Sequence, residues 1–195
     1  MIENEINLFP LILSLKVATT SSLIAIVVGL PMAYYLSQSN NRLTDMIDSL
    51  LTLPIVLPPT VLGYYLLVLL GRSSYLGIFI EEHFNIMLVF TPAGAVIAAT
   101  VVSIPFLIKS ARSAFAEIDK NIIYAAKLLG RSNLSIFFSI EILLAWRGIL
   151  SGIILTFARA LGDFGATLMV SGSIPNYTTT MPIAIYDALQ AGNTE

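Results

Sequence analysis

The stretch "NIIYAAKLLGRSNLSIFFSI", residues 121–140, interrupts a chain that is otherwise mostly apolar and uncharged. It pairs two small residues, Ala125 and Ala126, with Gly130 four positions on, and adds basic Lys127 and Arg131. The pattern predicts two short helices, 111–120 and 121–131, with Gly130 near a break. A small-residue, amphipathic surface between apolar runs suits docking against another protein. A solvated loop with a small-residue turn is the other reading that composition allows.

Working outward, 56% of the 195 residues are hydrophobic and only 11% are charged, and the mean hydropathy is +0.86. Soluble domains carry about 25% charged residues, so a water-facing surface would be short of charge and lipid is the simpler solvent. A net charge of −2 leaves no basic excess to neutralise phosphates, which argues against nucleic acid as a partner. With no cysteine, disulfides, thiolate metal sites and cysteine nucleophiles are excluded. The N-terminus carries Glu3 and Glu5 but no early Lys or Arg, unlike a cleaved signal peptide.

Crossing a bilayer takes about 20 apolar residues. Val17–Asn41, with a helix start near Pro10, is the first such run; Ser49–Gly71 and Phe84–Ile108 follow. Leu134–Ala158 is apolar but holds Glu141 and Arg147. Phe164–Tyr186 is broken by Pro175, Pro182 and "NYTTT", which suits a helix, a re-entrant break and a second helix start. The expectation is an all-α polytopic membrane protein, a single domain over residues 1–195, with about five transmembrane helices. Lys109, Arg112, Lys120, Lys127 and Arg131 cluster between spans three and four, so the loop at about 109–133 is expected in the cytoplasm. Alternation then puts loop 38–48 inside, loop 72–83 outside and the N-terminus outside.

No catalytic constellation or metal-spaced cluster is present, and an intramembrane enzyme would need one. The lone histidine, His83, reads as an exposed loop residue. Charges at membrane depth are costly and face a partner or a water path. Here they are Lys16, which can snorkel outward, Glu141, Arg147, Arg159 and Asp163. Arg159 and Asp163 are four apart and can pair on one helix face, either as a neutralised helix end or as a polar gate. Pro54, Pro58 and Pro59 in the second span remove helical hydrogen bonds and predict kinks. Pro31 and Pro105 add bends to spans one and three. Broken helices of this kind are frequent in transporters. "GILSG", Gly148 to Gly152, permits close helix packing.

The opening stretch resembles the cytoplasmic coupling motif of ABC importer permeases, E-A-A, three residues, G, nine residues, I-x-L-P. Here it runs Tyr124-Ala125-Ala126, Gly130, then Ile140-Glu141-Ile142-Leu143; the alanines, glycine, spacing and isoleucine match, while Tyr124 replaces the Glu and Ile-Leu the Leu-Pro. "LSLKVA" (13–18), "LPIVLPPTVLGYYLL" (53–67), "ARALGDFGATLMVSGSIP" (158–175) and "TMPIAIYDALQAGN" (180–193) closely resemble the molybdate importer permeases. Sulfate and tungstate permeases are near relatives; the "DFGATLMVSGSIP" run looks more like the molybdate branch.

The resemblance implies a type I importer permease that forms a homodimer around a central path. It implies cytoplasmic ABC ATPase subunits docked around Glu117 to Arg131, and an extracytoplasmic oxyanion-binding protein delivering cargo. The ATPase-coupling residues would be Glu117, Tyr124, Ala125, Ala126, Lys127, Gly130 and Arg131. Ala158–Pro175 would line the path, with Arg159, Gly162, Asp163, Gly165, Thr167, Ser171 and Ser173 as path or gate residues. No cofactor or metal is expected in this chain; ATP and Mg²⁺ belong to the ATPase, and hydrolysis to that partner. The expected location is the bacterial cell membrane. The family continues past "DALQAGN" into a further C-terminal membrane helix, and this chain stops at Glu195, so that helix is expected to be absent. A non-transporting membrane scaffold is the rival reading, opposed by the broken second span and the coupling motif.

Overall fold

The computed structural model describes residues 7–39, 41–84 and 86–192, and every described secondary-structure element is helical. Glu3 and Glu5, part of the charge argument for orientation, lie outside the described residues, as do 193–195 at the expected helix loss. α1 (Phe9–Gln38) opens with Pro10 in its first turn, where a missing amide proton costs nothing. α2 (Arg42–Val56) is capped by Asn41, whose side chain accepts the Thr44 amide at 2.9 Å. α3 (Pro59–Leu70) and α4 (Tyr75–Phe84) follow, then α5 (Pro92–Ala116), capped by the Thr91 hydroxyl. α6 (Lys120–Leu128) leads into α7 (Asn133–Ile136), a π-helical turn (Phe137–Glu141) and α8 (Ile142–Leu161). Two short helices close the chain, α9 (Gly165–Ser171) and α10 (Met181–Gln190).

Three rods are long and apolar enough to cross a membrane among the described residues: α1, α5 and the continuous run Asn133–Leu161. The second stretch differs from a single span. α2 and α3 meet at 112°, so the pair makes at most one broken crossing. The bend comes from Pro58 and Pro59 alone. A residue preceding proline is driven out of the α region, and Leu57 (ψ 141°) and Pro58 (ψ 133°) are both extended. Pro54 sits inside α2 and does not end it.

Other boundaries also shift. The third span begins at Pro92 rather than Phe84, and it continues as helix to Ala116. Residues 111–116 are therefore the end of a long helix rather than a separate short one, and the inter-span loop is shorter than 109–133. Segment 72–83 is mostly α4, and His83 lies in its last turn, stacked on Phe79 at 4.2 Å, instead of in a loop. The fifth stretch is two helices separated by Gly172, Pro175 and a turn, as its composition implied.

α5 is the axis of the bundle. At one end Ala95 and Ala99 pack with Leu13, Val17 and Ala18 of α1 and Ala160 of α8. At the other, Ile108, Ala111 and Phe115 meet Ala33 and Leu36 of α1 and Ala145 and Ile149 of α8. Close approach rests on small residues. A Cβ on Gly148 would come within 2.4 Å of Ala114 Cβ, and one on Gly152 within 3.1 Å of Leu107 Cα. Hydroxyls tie the rods without exposing polar atoms to lipid: Ser21 to the Val96 carbonyl at 3.1 Å and Ser110 to the Gly148 carbonyl at 2.7 Å. A third cluster, Leu62, Ala98, Val102, Ala166 and Val170, seats α3 and α9 on α5.

Gly63 of α3 faces α9 so tightly that a Cβ would sit 2.8 Å from Ala166 Cα and 2.8 Å from Met169 Cβ. Backbone cannot yield as a side-chain tip does, so Gly63→Val is expected to cost about 1–3 kcal/mol and lower Tm. Gly162→Ala, whose Cβ meets only the Ala158 carbonyl at 3.5 Å, is expected to leave Tm unchanged. Thermal unfolding of both in detergent checks the pair.

Candidate functional site

Two regions carry the residues singled out from sequence. The first is the elbow. Asp119 accepts the Asn121 amide at 2.9 Å and starts α6. The helix ends in a Schellman arrangement: the Gly130 amide bonds the Lys127 carbonyl and the Arg131 amide bonds the Ala126 carbonyl. That closure requires a left-handed residue, and Gly130 has φ +79°. The glycine is thus fixed by backbone geometry; nothing lies within 4 Å of where its Cβ would be.

Glu117, Tyr124, Ala125, Lys127, Gly130 and Arg131 are exposed, whereas Ala126 is turned inward at 7% exposure. Its small size serves the elbow's own packing. Two residues not singled out in the sequence supply the apolar face: Leu128 at 89% and Leu129 at 84% exposed, beside Tyr124. Arg131 reaches forward to the Ser135 hydroxyl at 3.3 Å. The available signal for the two leucines was the pattern itself, "AAKLLGR", in which they flank the glycine.

Behind the elbow, Asp48 of α2 accepts ion pairs from Lys109 at 2.7 Å and Arg112 at 2.8 Å, both near the end of α5. These basic residues belong to a helix and are partly neutralised there. Glu141, noted only as an intramembrane charge, is buried in the π-helical turn just after the elbow. Gln38 donates to its Oε1 at 3.4 Å, and the Tyr34 hydroxyl also contacts it, so α1 is tied to the root of α8. A π turn has no compositional signature, so this tie was not legible in sequence.

The second region is the junction of α8 and α9. Arg159 and Asp163 do pair, at 3.2 Å, although the α8 helix ends between them. The other Asp163 oxygen accepts both the Thr167 amide at 2.9 Å and its hydroxyl at 2.8 Å. One buried carboxylate therefore caps α9, where a negative charge is favourable, and holds the guanidinium of α8. Gly165 lets the start of α9 touch α3: a Cβ there would meet Thr60 nitrogen at 3.0 Å. Asp163, Gly165, Thr167 and Ser171 are buried within the protomer, Arg159 is half-buried, and Gly162 and Ser173 are exposed. Ser173 donates to Asp187 of α10 at 2.6 Å. The Met181 amide at the start of α10 donates to Ser14 of α1 at 2.7 Å. Among the described residues no cluster of His, Cys, Asp and Glu could hold a metal ion.

The sequence profile of the family described as "Binding-protein-dependent transport system inner membrane component" matches residues 25–192. A "Putative molybdenum transport system permease protein YvgM" of Bacillus subtilis (strain 168) is 42% identical over 184 residues, covering 94% of this chain and 81% of that protein. The "Molybdenum transport system permease protein ModB" of Escherichia coli (strain K12) is 39% identical over 179 residues, 92% of this chain and 78% of its own length. ModB of Haemophilus influenzae is 37% identical over 183 residues, 94% and 80% respectively. The chain belongs to the family of binding-protein-dependent transport system inner membrane components, and its bundle is that of a multi-pass membrane permease.

Removing the Asp163 carboxylate strips α9 of its cap and leaves Arg159 without a counter-charge. Asp163→Ala is expected to destabilise by about 3 kcal/mol, and Thr167→Val, which keeps the amide bond and loses one hydroxyl, by about 1 kcal/mol. The order of the two in a detergent thermal-shift series checks the capping role.

Proposed function

We propose that this chain is the permease subunit of an ATP-driven importer that moves molybdate across the cell membrane. The observation that carries this reading is the match to molybdenum permeases over more than nine-tenths of the chain, elbow and broken helices included. Two copies would enclose the path. A cytoplasmic ATPase would bind ATP and Mg²⁺ and supply hydrolysis, and an extracytoplasmic binding protein would hand over the oxyanion.

Orientation follows from which segments share an end of the bundle. Asp48, Lys109 and Arg112 meet at the elbow end, so the first turns of α2 and the basic elbow share one side, which charge assigns to the cytoplasm. The Asn7 amide bonds Asn176 at 3.1 Å at the opposite, outer end, which agrees with an external N-terminus.

Nucleotide acts on such a bundle only through contacts that differ between its two states. The elbow residues Glu117, Tyr124, Ala125, Lys127 and Arg131 form the grip, with Leu128 and Leu129 as its apolar centre, and Ala126 and Gly130 hold its shape. Displacement passes to α5 directly and to α8 through α7 and the Glu141 turn. At the far end, the junction bearing Arg159, Gly162, Asp163, Gly165, Thr167, Ser171 and Ser173 acts as the gate. Its polar side chains are engaged within the chain, Ser173 by Asp187 and the others by one another or by backbone, so the cargo would be held weakly and released readily, and selection rests with the binding protein.

Proteoliposomes holding this chain, its ATPase and its binding protein are expected to take up labelled molybdate on adding ATP, with sulfate failing to compete. Competition by sulfate or tungstate would reassign the cargo and keep the mechanism; failure to co-purify with an ATPase would favour the scaffold reading. Gly130→Val, which strains the left-handed turn by about 1–2 kcal/mol, and Ala126→Leu are expected to uncouple uptake from ATP. Intact uptake in either would overturn the elbow's role.

A further inference from the structure

The rod Asn133–Leu161 is α-helical on either side of Phe137–Glu141 and π-helical only there. A π turn holds one residue more than the α ladder around it, and such turns recur at functional sites. This one is gripped from two helices. The Phe137 ring meets Tyr34 of α1 edge-on at 4.6 Å and lies 6.1 Å from Phe115 of α5. Glu141 is buried and accepts from Gln38 of α1 through Oε1, while its buried Oε2 has no hydrogen-bond partner among the described residues. The present arrangement therefore carries an unoffset polar cost at the turn itself. An α-helical arrangement of the same residues is the available rival. With α8 fixed, closing the turn to α would rotate α7 by about 100° and extend it by about 1.5 Å, the share of one residue. Each place upstream of the turn would then pass to the next residue in sequence. The place that Phe137 fills against Tyr34 and Phe115 would pass to Phe138, now 67% exposed. A second phenylalanine at that position keeps the aromatic contact in both registers. Slack exists where α6 would have to follow: residues 117–119 lie outside any helix, and nothing stands within 4 Å of where a Gly130 Cβ would be.

We propose that Phe137–Glu141 is a register switch: displacement of the elbow converts the π turn to α-helix, and Phe137 and Phe138 exchange in one aromatic pocket. The trigger rests on the importer reading above; the two registers rest on the turn's own geometry. One register step gives the elbow two discrete settings relative to α8, which is what coupling between distant sites requires. A bulge that never moves would place no demand on the residue after Phe137.

The chain has no cysteine, so single thiols can be introduced as unique reporters. In the α register Ser135, now half-buried, would take the place of Leu134, which is 73% exposed, while Phe138 would turn inward. Maleimide labelling of Ser135→Cys and Phe138→Cys is compared in the complex with the ATPase, without nucleotide and with a non-hydrolysable ATP analogue. On adding the analogue, labelling is expected to rise severalfold in Ser135→Cys and to fall severalfold in Phe138→Cys. Unchanged rates, or rates that move together, overturn the proposal, since general loosening or burial under the ATPase would move both alike. Deleting Ser139, whose hydroxyl returns to the Ser135 carbonyl, removes the extra residue and fixes the elbow in its present register as plain α-helix. That variant is expected to co-purify with the ATPase, to lose ATP-driven molybdate uptake and to show no opposed labelling change. Full uptake by an assembled deletion variant overturns the switch; if that variant does not assemble, the labelling pair decides alone. If the unaltered complex moves no molybdate while the two labels respond in opposite senses, the importer reading fails and the switch stands.

Discussion

The approach of α1 and α8 to the same helix, α5, is the constraint on which the rest of the molecule depends. In lipid there is little hydrophobic gain from bringing apolar helices together, so contact has to come from close packing and from hydroxyls that find carbonyls on a neighbour. Here both are met by small residues. Ala95, Ala98, Ala99 and Ala111 of α5 are wholly buried, and Gly148 and Gly152 admit α8 to backbone distance. The rest of the bundle hangs from this three-rod frame. The elbow is an extension of α5 leading into α8, the Arg159–Asp163 junction is the far end of α8, and α3 and α9 lean on α5 from outside.

Polar groups mark where the rods are interrupted; Asp163 is fully engaged at one such point, whereas at the other Glu141 engages Gln38 through Oε1 and leaves its buried Oε2 without a hydrogen-bond partner among the described residues. Asp163 closes the gap between α8 and α9 by serving an arginine, an amide and a hydroxyl at once. Glu141 occupies the π turn at the other end of α8 and is met from α1 by Tyr34 and Gln38. Buried carboxylates without such partners would be expensive. Both ends of α8 are therefore held by carboxylates whose partners come at one end from its own continuation and at the other from α1.

Helix existence was legible from hydropathy because lipid demands long apolar runs. The helix break in 121–131 was legible because it is tied to a turn that only glycine closes easily, and Gly130 has the φ that this requires. The pairing of Arg159 with Asp163 followed from their four-residue interval. What hydropathy missed has a common cause: it measures greasiness and not direction. It cannot see direction, so the prolines of Ser49–Gly71 announced kinks without saying that Leu57 and Pro58 are extended and turn the chain through 112° while Pro54 leaves α2 unbroken. It cannot see that "SARSAFA" continues α5, because basic side chains signal a loop even when a helix extends past the membrane. Ala126, inward in an exposed motif, and Asp48, holding two cations across 61 and 64 positions, depend on tertiary contact and leave no local trace.

The break at Pro58 and Pro59 divides one crossing between two mechanical bodies. α2 is fastened to the C-terminal end of α5 by Asp48, while α3 is fastened to α9 by the glycine contact at Gly63. Neither proline supplies an amide proton, so no helical ladder runs through the joint to carry torque. A displacement started at the elbow reaches α2 as a rigid shift, yet arrives at α3 only through a flexible corner. The region around α9 can thus answer to α8 and α5 while insulated from α2, as a universal joint passes position between shafts without locking their directions.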